Sequence, residues 1–194
     1  MVKKWSLSLM KNMKYYPMLL ELKGKKCLII GGGPVAAHKT RSLLKAGAMV
    51  SIISPVLTKS LMNLSKSKKI FHIKSEYHKK FLKNAFLVIA ATNKKEINLK
   101  VSKDARVLGL LVNIVDMPAL SNFIVPAVLC RKDLIISIST SGKAPVLSKK
   151  IKEDLRKLIP CYAKMVRPLA SIRHKLKLKY PDADMRKSVL RACL

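Results

Sequence analysis

The sequence predicts an α/β protein with a Rossmann-type, doubly wound parallel sheet, followed by a small α+β region and a C-terminal helical tail. Over residues 26–115, short runs of β-forming aliphatic residues alternate with segments whose apolar residues recur at helical spacing. This alternation is typical of βαβ units, in which helical crossovers join parallel strands. After Pro118 two apolar runs lie close together, which indicates an antiparallel hairpin instead.

The predicted elements follow one another in a regular order. Strands are expected at 26–30, 50–53, 70–73, 86–91 and 109–115, and helices at 35–46, 57–64 and 96–102, with a short helical or turn segment at 78–82. A hairpin at 123–129 and 134–139, a helix at 145–159 and a basic helix at 162–178 follow, and the end of the chain is weakly patterned. This order predicts four regions: a basic N-terminal extension (1–15), a dinucleotide-binding domain (16–118), a dimerisation and substrate region (119–160) and a helical region (161–194).

The composition is that of a folded and strongly basic protein. Hydrophobic residues make up 49% of the 194 residues and aromatic residues only 5%, so the core must be mainly aliphatic. Forty Lys and Arg against ten Asp and Glu give a formal charge of +30, which attracts polyanions, nucleic acids among them. The basic residues are spread from Lys3 to Arg191, with few aromatic residues to stack on bases, which favours a general lysine bias over a nucleic-acid surface.

The cysteines and the apolar runs indicate the cellular location of the protein. The four cysteines are far apart and form no C-x-x-C motif, which argues against a zinc or thioredoxin-like site and against a disulfide framework. The basic N-terminal residues lack the apolar core and cleavage site of a signal peptide. The apolar run at 107–115 is far shorter than the roughly 20 residues that span a bilayer. We therefore expect a cytoplasmic protein that does not cross a membrane.

A glycine motif typical of dinucleotide binding follows the first predicted strand. The segment GGGPVA at 31–36 fits the pattern G-x-G-x-x-G/A at the point where the strand ends and a helix begins. Gly31 permits the tight turn, Gly33 allows backbone N–H groups to approach a pyrophosphate, and Ala36 lets helix and strand pack closely. An ordinary strand-to-helix turn is the alternative, and the place of the motif in the first βαβ unit favours dinucleotide binding.

Two further strand ends are expected at the cofactor site. The acidic residue that usually follows the second strand is missing from SIISPV at 51–56, so the residues alone leave NAD and NADP as alternatives. Pro55 and Val56 can still pack against the adenosine half of a dinucleotide. After the fourth strand, Ala91 and Thr92 are small enough for a nicotinamide ribose to approach, although Thr92 as a helix N-cap would explain the same residues.

The fifth predicted strand ends at Asp116, ahead of Met117-Pro118. A carboxylate at this edge of a doubly wound sheet can accept a proton or contact a metal ion, whereas capping of the following turn is the structural alternative. Asn113, in the same strand, is predicted to belong to the cofactor site. The four histidines are scattered, so no permanent metal site is predicted.

Several segments together, in this order, resemble the precorrin-2 dehydrogenase family, which also forms the N-terminal part of siroheme synthase. The segments are GGGPVAAHK, IAATN, NIVDMP, FIVPA and ISISTSGKAPVL, within residues 14–160. The resemblance implies oxidation of precorrin-2 to sirohydrochlorin with NAD as hydride acceptor, and some members also insert ferrous iron. It implies NAD contacts for Pro34, Val35, Pro55 and Val56. It also implies that Asp116 is the catalytic residue, with at most a transient contact to Fe²⁺.

The resemblance also implies a substrate loop and a homodimer whose subunits exchange strands. The loop is Ser139-Thr140-Ser141-Gly142, where the family often has S-[ST]-G-G, so Ser141 replaces a glycine. If this position needs a positive φ, serine tolerates it less well than glycine. The polycarboxylate precorrin-2 would be attracted by the positive charge.

The alternative function, from the class of binding proteins, is that of an NAD-binding redox sensor or nucleic-acid-associated protein without turnover. A degenerate copy of the enzyme is a third hypothesis.

Overall fold

Five parallel strands form the sheet around which the first part of the chain is built. The computed structural model describes residues 14–193, and its strands here are β1 (Lys26–Ile30), β2 (Met49–Ile53), β3 (Phe71–Ile73), β4 (Leu87–Ala90) and β5 (Leu111–Ile114). They lie in the order β3-β2-β1-β4-β5. The chain leaves β1 first toward β2 and later toward β4, which opens a crevice above the carboxyl ends of the central strands. The predicted doubly wound α/β fold is confirmed.

Helices cover both faces of this sheet. They are α1 (Pro34–Lys45), α2 (Lys59–Lys66) and α3 (Lys95–Val107), with a short 3-10 helix at Lys79–Leu82. Successive side chains of β1 enter opposite cores: Cys27 and Ile29 pack with α1 and α2, and Leu28 and Ile30 pack with α3 and the 3-10 helix. Because both faces are buried, residues 27–30 of β1 form an uninterrupted apolar run rather than an alternating one.

The free edge of β5 is closed by the segment that follows it. The side-chain oxygen of Asn122 accepts a hydrogen bond from the Val112 N–H at 2.8 Å, and the Asn122 N–H donates to the Val112 carbonyl at 3.0 Å. Ser121 Oγ accepts from the Ile114 N–H at 2.8 Å. Side chains thus satisfy the backbone groups that an edge strand leaves unpaired. The predicted strand at 123–129 was wrong at its start, because this segment belongs to the edge of β5 and the next strand begins at Ala127.

The second unit of the chain is an antiparallel hairpin with three helices. Its elements are β6 (Ala127–Arg131), β7 (Leu134–Ile138), α4 (Pro145–Arg156), α5 (Ile159–Lys179) and α6 (Ala183–Ala192). The hairpin packs on α4 and α5, and Leu129, Ile159 and Ala163 are among its buried apolar residues. None of the helices in residues 14–193 is long and apolar enough to span a membrane.

The chain divides between Ile124 and Val125. The sequence places this boundary at residue 118, but the residues just after Pro118 are bound to the first unit. Ser102 Oγ donates to the Leu120 carbonyl at 2.6 Å, and Arg106 donates to the Ser121 carbonyl at 3.2 Å. Residues 125–193 cluster as one unit, although the sequence predicts a further boundary at 160. Most of the predicted N-terminal extension, residues 1–13, lies outside the described residues.

Two features of the C-terminal region differ from the expectation. Helix α5 includes Pro160 in its first turn, where a proline is tolerated because the N–H it lacks would have no partner there. The weakly patterned end of the chain forms α6, whose N-cap Asp182 accepts a hydrogen bond from the Asp184 N–H at 2.7 Å. An aspartate at such a position is a strong helix start, and the sequence therefore contained the pattern that identifies this helix.

Candidate functional site

A cleft of about 460 Å³ lies at the carboxyl ends of the sheet. The turns after β1, β2, β3 and β4 all contribute to its walls, with residues 30–33, 53–58, 75–77 and 91–94 and Ile97 lining it. Six predicted cofactor residues are among them: Gly31, Gly33, Pro55, Val56, Ala91 and Thr92. This is the crevice in which open α/β sheets bind their ligands.

The glycine turn fits tightly between the ends of the two neighbouring strands. Gly31 has φ +119°, a conformation that other residues rarely adopt, and its N–H donates to the Ile53 carbonyl at 2.9 Å. A Cβ on Gly31 would collide with the Ala91 carbonyl, and one on Gly32 would collide with the Val56 carbonyl. The motif leaves its second position open and so does not identify Gly32, yet the structure requires glycine there.

Gly33 differs from the other two glycines because its surroundings are open. A Cβ built on Gly33 would meet no heavy atom within 4 Å. Gly33 is the N-cap of α1, and among the described residues no side chain caps this helix. Its first internal hydrogen bond runs from the Ala37 N–H to the Gly33 carbonyl at 3.0 Å. The N–H groups of the first turn, with the positive end of the helix dipole, are therefore available to an anion such as a pyrophosphate.

The remaining predicted residues of α1 do not line the cleft itself. Pro34 is exposed at the first helical position and Val35 is 45% exposed. Ala36 is fully buried in the core between α1 and the sheet. A small residue at position 36 thus brings α1 close to β1, as its place in the motif predicts.

A hydrogen-bonded turn fixes the cleft wall after β4. The side chain of buried Asn98 donates to the Thr92 carbonyl at 3.0 Å, and Thr92 Oγ1 donates to Asn98 Oδ1 at 2.8 Å. Helix α3 has Lys94 as its N-cap, so the alternative role of Thr92 as N-cap does not hold. Asn98 was missed by the sequence analysis, because its spacing from Thr92 fits an ordinary helical residue.

Charged residues line the cleft at one place only among the described residues. Glu76, after β3, and Lys94, after β4, form an ion pair with 3.3 Å between Oε1 and Nζ. After β2 the wall is uncharged, and Ser54 Oγ donates to the Val56 carbonyl at 2.7 Å. Neither Glu76 nor Lys94 belongs to a sequence pattern, because only the fold brings these two turns together.

The two predicted residues of the fifth strand lie outside the cleft lining. Asn113 is buried, and its amide donates to the Phe123 carbonyl at 3.1 Å, which helps to hold the segment along β5. Its role in cofactor binding stays a prediction. Asp116 is exposed, just beyond β5 at the same carboxyl edge as the cleft, and has φ 60°. Aspartate tolerates this left-handed conformation better than most residues, and such strain is frequent at functional sites.

A lysine on α1 is electrostatically coupled to Asp116. Lys39 is half-buried, and burial lowers the pKa of its ammonium group while the negative charge of Asp116 raises it. The net pKa of Lys39 lies below its usual value. The carboxylate of Asp116 therefore lies in the electrostatic field of this ammonium group.

The predicted substrate loop lies in the second unit, between β7 and α4. Ser141 has φ 56° and Gly142 has φ 80°. Position 141 therefore has the positive φ that serine tolerates less well than glycine. The Ser141 N–H donates to Ser139 Oγ at 3.0 Å, and Thr140 Oγ1 accepts from the Ala144 N–H at 3.1 Å. These contacts order the loop locally, and its contact with substrate stays a prediction. Within residues 14–193, no three His, Cys, Asp or Glu side chains come together as a metal site.

Comparison with known families agrees with this geometry. The family model described as “Putative NAD(P)-binding” matches residues 18–127. The chain belongs to this NAD(P)-binding family. The match covers the glycine turn, all five strands of the parallel sheet and Asp116. A second model, “Sirohaem biosynthesis protein central”, matches residues 131–158 in the second unit.

Relatives that match most of this NAD(P)-binding chain include siroheme synthases. Siroheme synthase of Chromobacterium violaceum is 36% identical over 90% of this chain and 37% of that protein. Siroheme synthase of Photobacterium profundum is 41% identical over 76% of this chain and 32% of that protein. The chain thus spans about a third of the length of these curated relatives. The solved structure of SirC, precorrin-2 dehydrogenase, is similar with a TM-score of 0.74 and 25% identity, over 93% of this chain and 89% of that one.

We predict that Gly33→Ala and Gly32→Ala separate cofactor binding from folding. Because nothing lies near Gly33, Gly33→Ala should change the free energy of unfolding by less than about 1 kcal/mol. It should nevertheless weaken NAD binding about tenfold or more, because the new methyl group occupies the space in which the pyrophosphate approaches the backbone. Gly32→Ala should destabilise the protein by about 1–3 kcal/mol. Urea unfolding and calorimetric titration with NAD measure the two effects. If Gly33→Ala binds NAD as tightly as the wild-type protein does, the pyrophosphate does not bind at Gly33.

Proposed function

We propose that this protein oxidises precorrin-2 to sirohydrochlorin, with NAD as hydride acceptor, as a step of siroheme biosynthesis. The observation that supports this most directly is the open space at Gly33, beneath the first turn of α1, within a cleft at the topological switch point of the sheet. Similarity to siroheme synthases and to a precorrin-2 dehydrogenase over most of the chain supports the choice of substrate.

Different residues of the chain have different roles in this oxidation. NAD, when bound, supplies the acceptor for the hydride that leaves the substrate. The first turn of α1 would hold the pyrophosphate, and Ala91 would leave room for the nicotinamide ribose. Asp116 accepts the proton that the substrate carbon framework loses together with the hydride. Loss of one hydride and one proton adds one double bond to the macrocycle, which balances the reaction.

The charge of the protein suits this substrate. Precorrin-2 is a polycarboxylate, and a surface with a net charge of +30 raises the rate at which such an anion encounters the site. Asp116 is also the residue that we propose for a transient contact with ferrous iron, as the metal substrate in the chelation step of some family members. We place the protein in the cytoplasm, where thiols such as the free Cys130, Cys161 and Cys193 stay reduced.

A turnover assay with Asp116→Asn tests the proposed reaction. The protein is incubated anaerobically with precorrin-2 and NAD, and the absorbance of sirohydrochlorin is followed. Asp116→Asn keeps the size of the side chain but removes the proton acceptor, so turnover should fall about 10²–10⁴-fold while the dissociation constant for NAD stays unchanged.

The control for this assay is Asp184→Asn, at an exposed aspartate on α6 whose carboxylate pairs with Lys187. This variant should turn over like the wild type. Folded wild-type protein that binds NAD but produces no sirohydrochlorin would refute the proposed reaction and favour an NAD-binding sensor or a degenerate copy. Undiminished turnover by Asp116→Asn would refute the role of Asp116 alone.

We also propose that the protein acts as a homodimer through the hairpin of the second unit. On one face of this two-stranded sheet, Val128 is 39% exposed and Ile135 is 47% exposed. On α4, Val146 is 79% exposed and Leu147 is 51% exposed. Exposed apolar side chains of this density are typical of a surface that a partner covers, and a second copy of the chain is the partner that the family resemblance implies.

Substitution of Ile135 tests the dimer. Ile135→Asp places a charge on the exposed face of β7 and should shift the protein from dimer to monomer, as measured by sedimentation velocity at micromolar concentration. Leu99→Asp is the matched control, since Leu99 is 48% exposed on α3 of the first unit and should leave the dimer intact. A monomeric wild-type protein, or an Ile135 variant that stays dimeric, would contradict the proposal.

A further inference from the structure

The ion pair between Glu76 and Lys94 forms part of the lining of the cleft. Glu76 belongs to the turn after β3 and Lys94 to the turn after β4, and both residues line the cleft. In the sheet, β2 and β1 lie between these two strands. Three strand spacings separate β3 from β4, or roughly 14 Å at about 4.8 Å each. The ion pair therefore joins two turns whose strands are not neighbours, at the edge of the sheet where a dinucleotide enters the crevice.

The backbone on both sides of this pair is firmly held. Tyr77, next to Glu76, is 5% exposed, and its hydroxyl donates to Asp104 Oδ2 at 2.9 Å. On the other side, the Lys94 N–H donates to Thr92 Oγ1 at 3.2 Å. The two charged side chains remain 68% and 71% exposed. Because the backbone is held and the charged groups are exposed, the two side chains can change rotamer and contact a ligand instead of each other, without a change in the fold.

The cleft lacks the usual partner for the adenosine ribose. In dinucleotide-binding domains of this type, a carboxylate after the second strand accepts hydrogen bonds from the ribose hydroxyls. Here that segment is Ser54-Pro55-Val56, and Ser54 Oγ donates to the Val56 carbonyl at 2.7 Å. Among the described residues that line the cleft, Glu76 is the only carboxylate. It comes from the turn after β3, the strand next to β2.

We propose that Glu76 is the residue that selects NAD over NADP, because its carboxylate accepts a hydrogen bond from the 2′-hydroxyl of the adenosine ribose. This inference rests on the proposed use of the cleft by NAD. NADP has a phosphate at the same position, with a charge near −2 and no hydroxyl donor, so it is repelled by Glu76. The positive charge of Lys94 offsets part of this repulsion.

Calorimetric titration with NAD and with NADP tests this selection without requiring turnover. The wild-type protein should bind NAD about tenfold or more tightly than NADP. Glu76→Gln removes the charge at constant size, so NAD should bind several-fold more weakly and NADP more tightly. The preference for NAD should therefore fall about tenfold. Lys94→Met leaves Glu76 unpaired and should change the preference in the opposite direction.

The matched control is Glu153→Gln. Glu153 is an exposed glutamate on α4 that forms an ion pair with Arg156 at 2.9 Å, and its substitution should leave both affinities unchanged. If Glu76→Gln leaves the ratio of the two affinities unchanged, or weakens both cofactors equally, the inference is wrong. If the wild-type protein binds NAD but oxidises no precorrin-2, only the proposed reaction fails. If it binds neither dinucleotide, the inference and the proposed function fail together.

Discussion

The close contact of the glycine turn with the strands on either side of it is the constraint on which the cleft depends. Gly31 lies against the Ala91 carbonyl after β4, and Gly32 lies against the Val56 carbonyl after β2. Because glycine has no side chain, the turn can lie close to both neighbouring strand ends. Helix α1 begins immediately after it. The open space at Gly33 then lies at the first turn of α1, whose N–H groups have no side-chain cap, and this is the arrangement in which helix N-termini bind anions.

The same contact explains which parts of the site were predictable from the sequence. The strand ending at Ile30, the glycine motif and Pro34 form a local pattern, in which each residue type is required by its immediate neighbours. Asn98, Glu76 and Lys94 form no such pattern, because their importance arises only when turns far apart in sequence meet at one edge of the sheet. The local pattern therefore predicts the glycine turn of the cleft, whereas the residues on the turns after β3 and β4 can be recognised only in the folded structure.

A similar distinction applies to the rest of the fold. The five parallel strands were predicted to within two residues of their ends, because each is a short, mainly apolar run, and the central strands β1 and β4 are buried on both faces. The start of the strand predicted at 123–129 was wrong, because the segment from Ser121 to Phe123 lies along the edge of β5, where polar side chains replace a neighbouring strand. Ser141 shows that a departure from a family pattern can be interpreted physically, since its φ of 56° is one that glycine adopts at lower cost.

The most direct test of the central claim is a crystal structure of the protein with NAD bound. The account predicts that the pyrophosphate lies over Gly33, within about 3 Å of the N–H groups of the first turn of α1. The adenosine should lie along Pro55 and Val56 and the nicotinamide toward Ala91. Density for NAD anywhere else, or an empty space at Gly33 with saturating NAD in the crystal, would contradict the assignment of this cleft as the cofactor site.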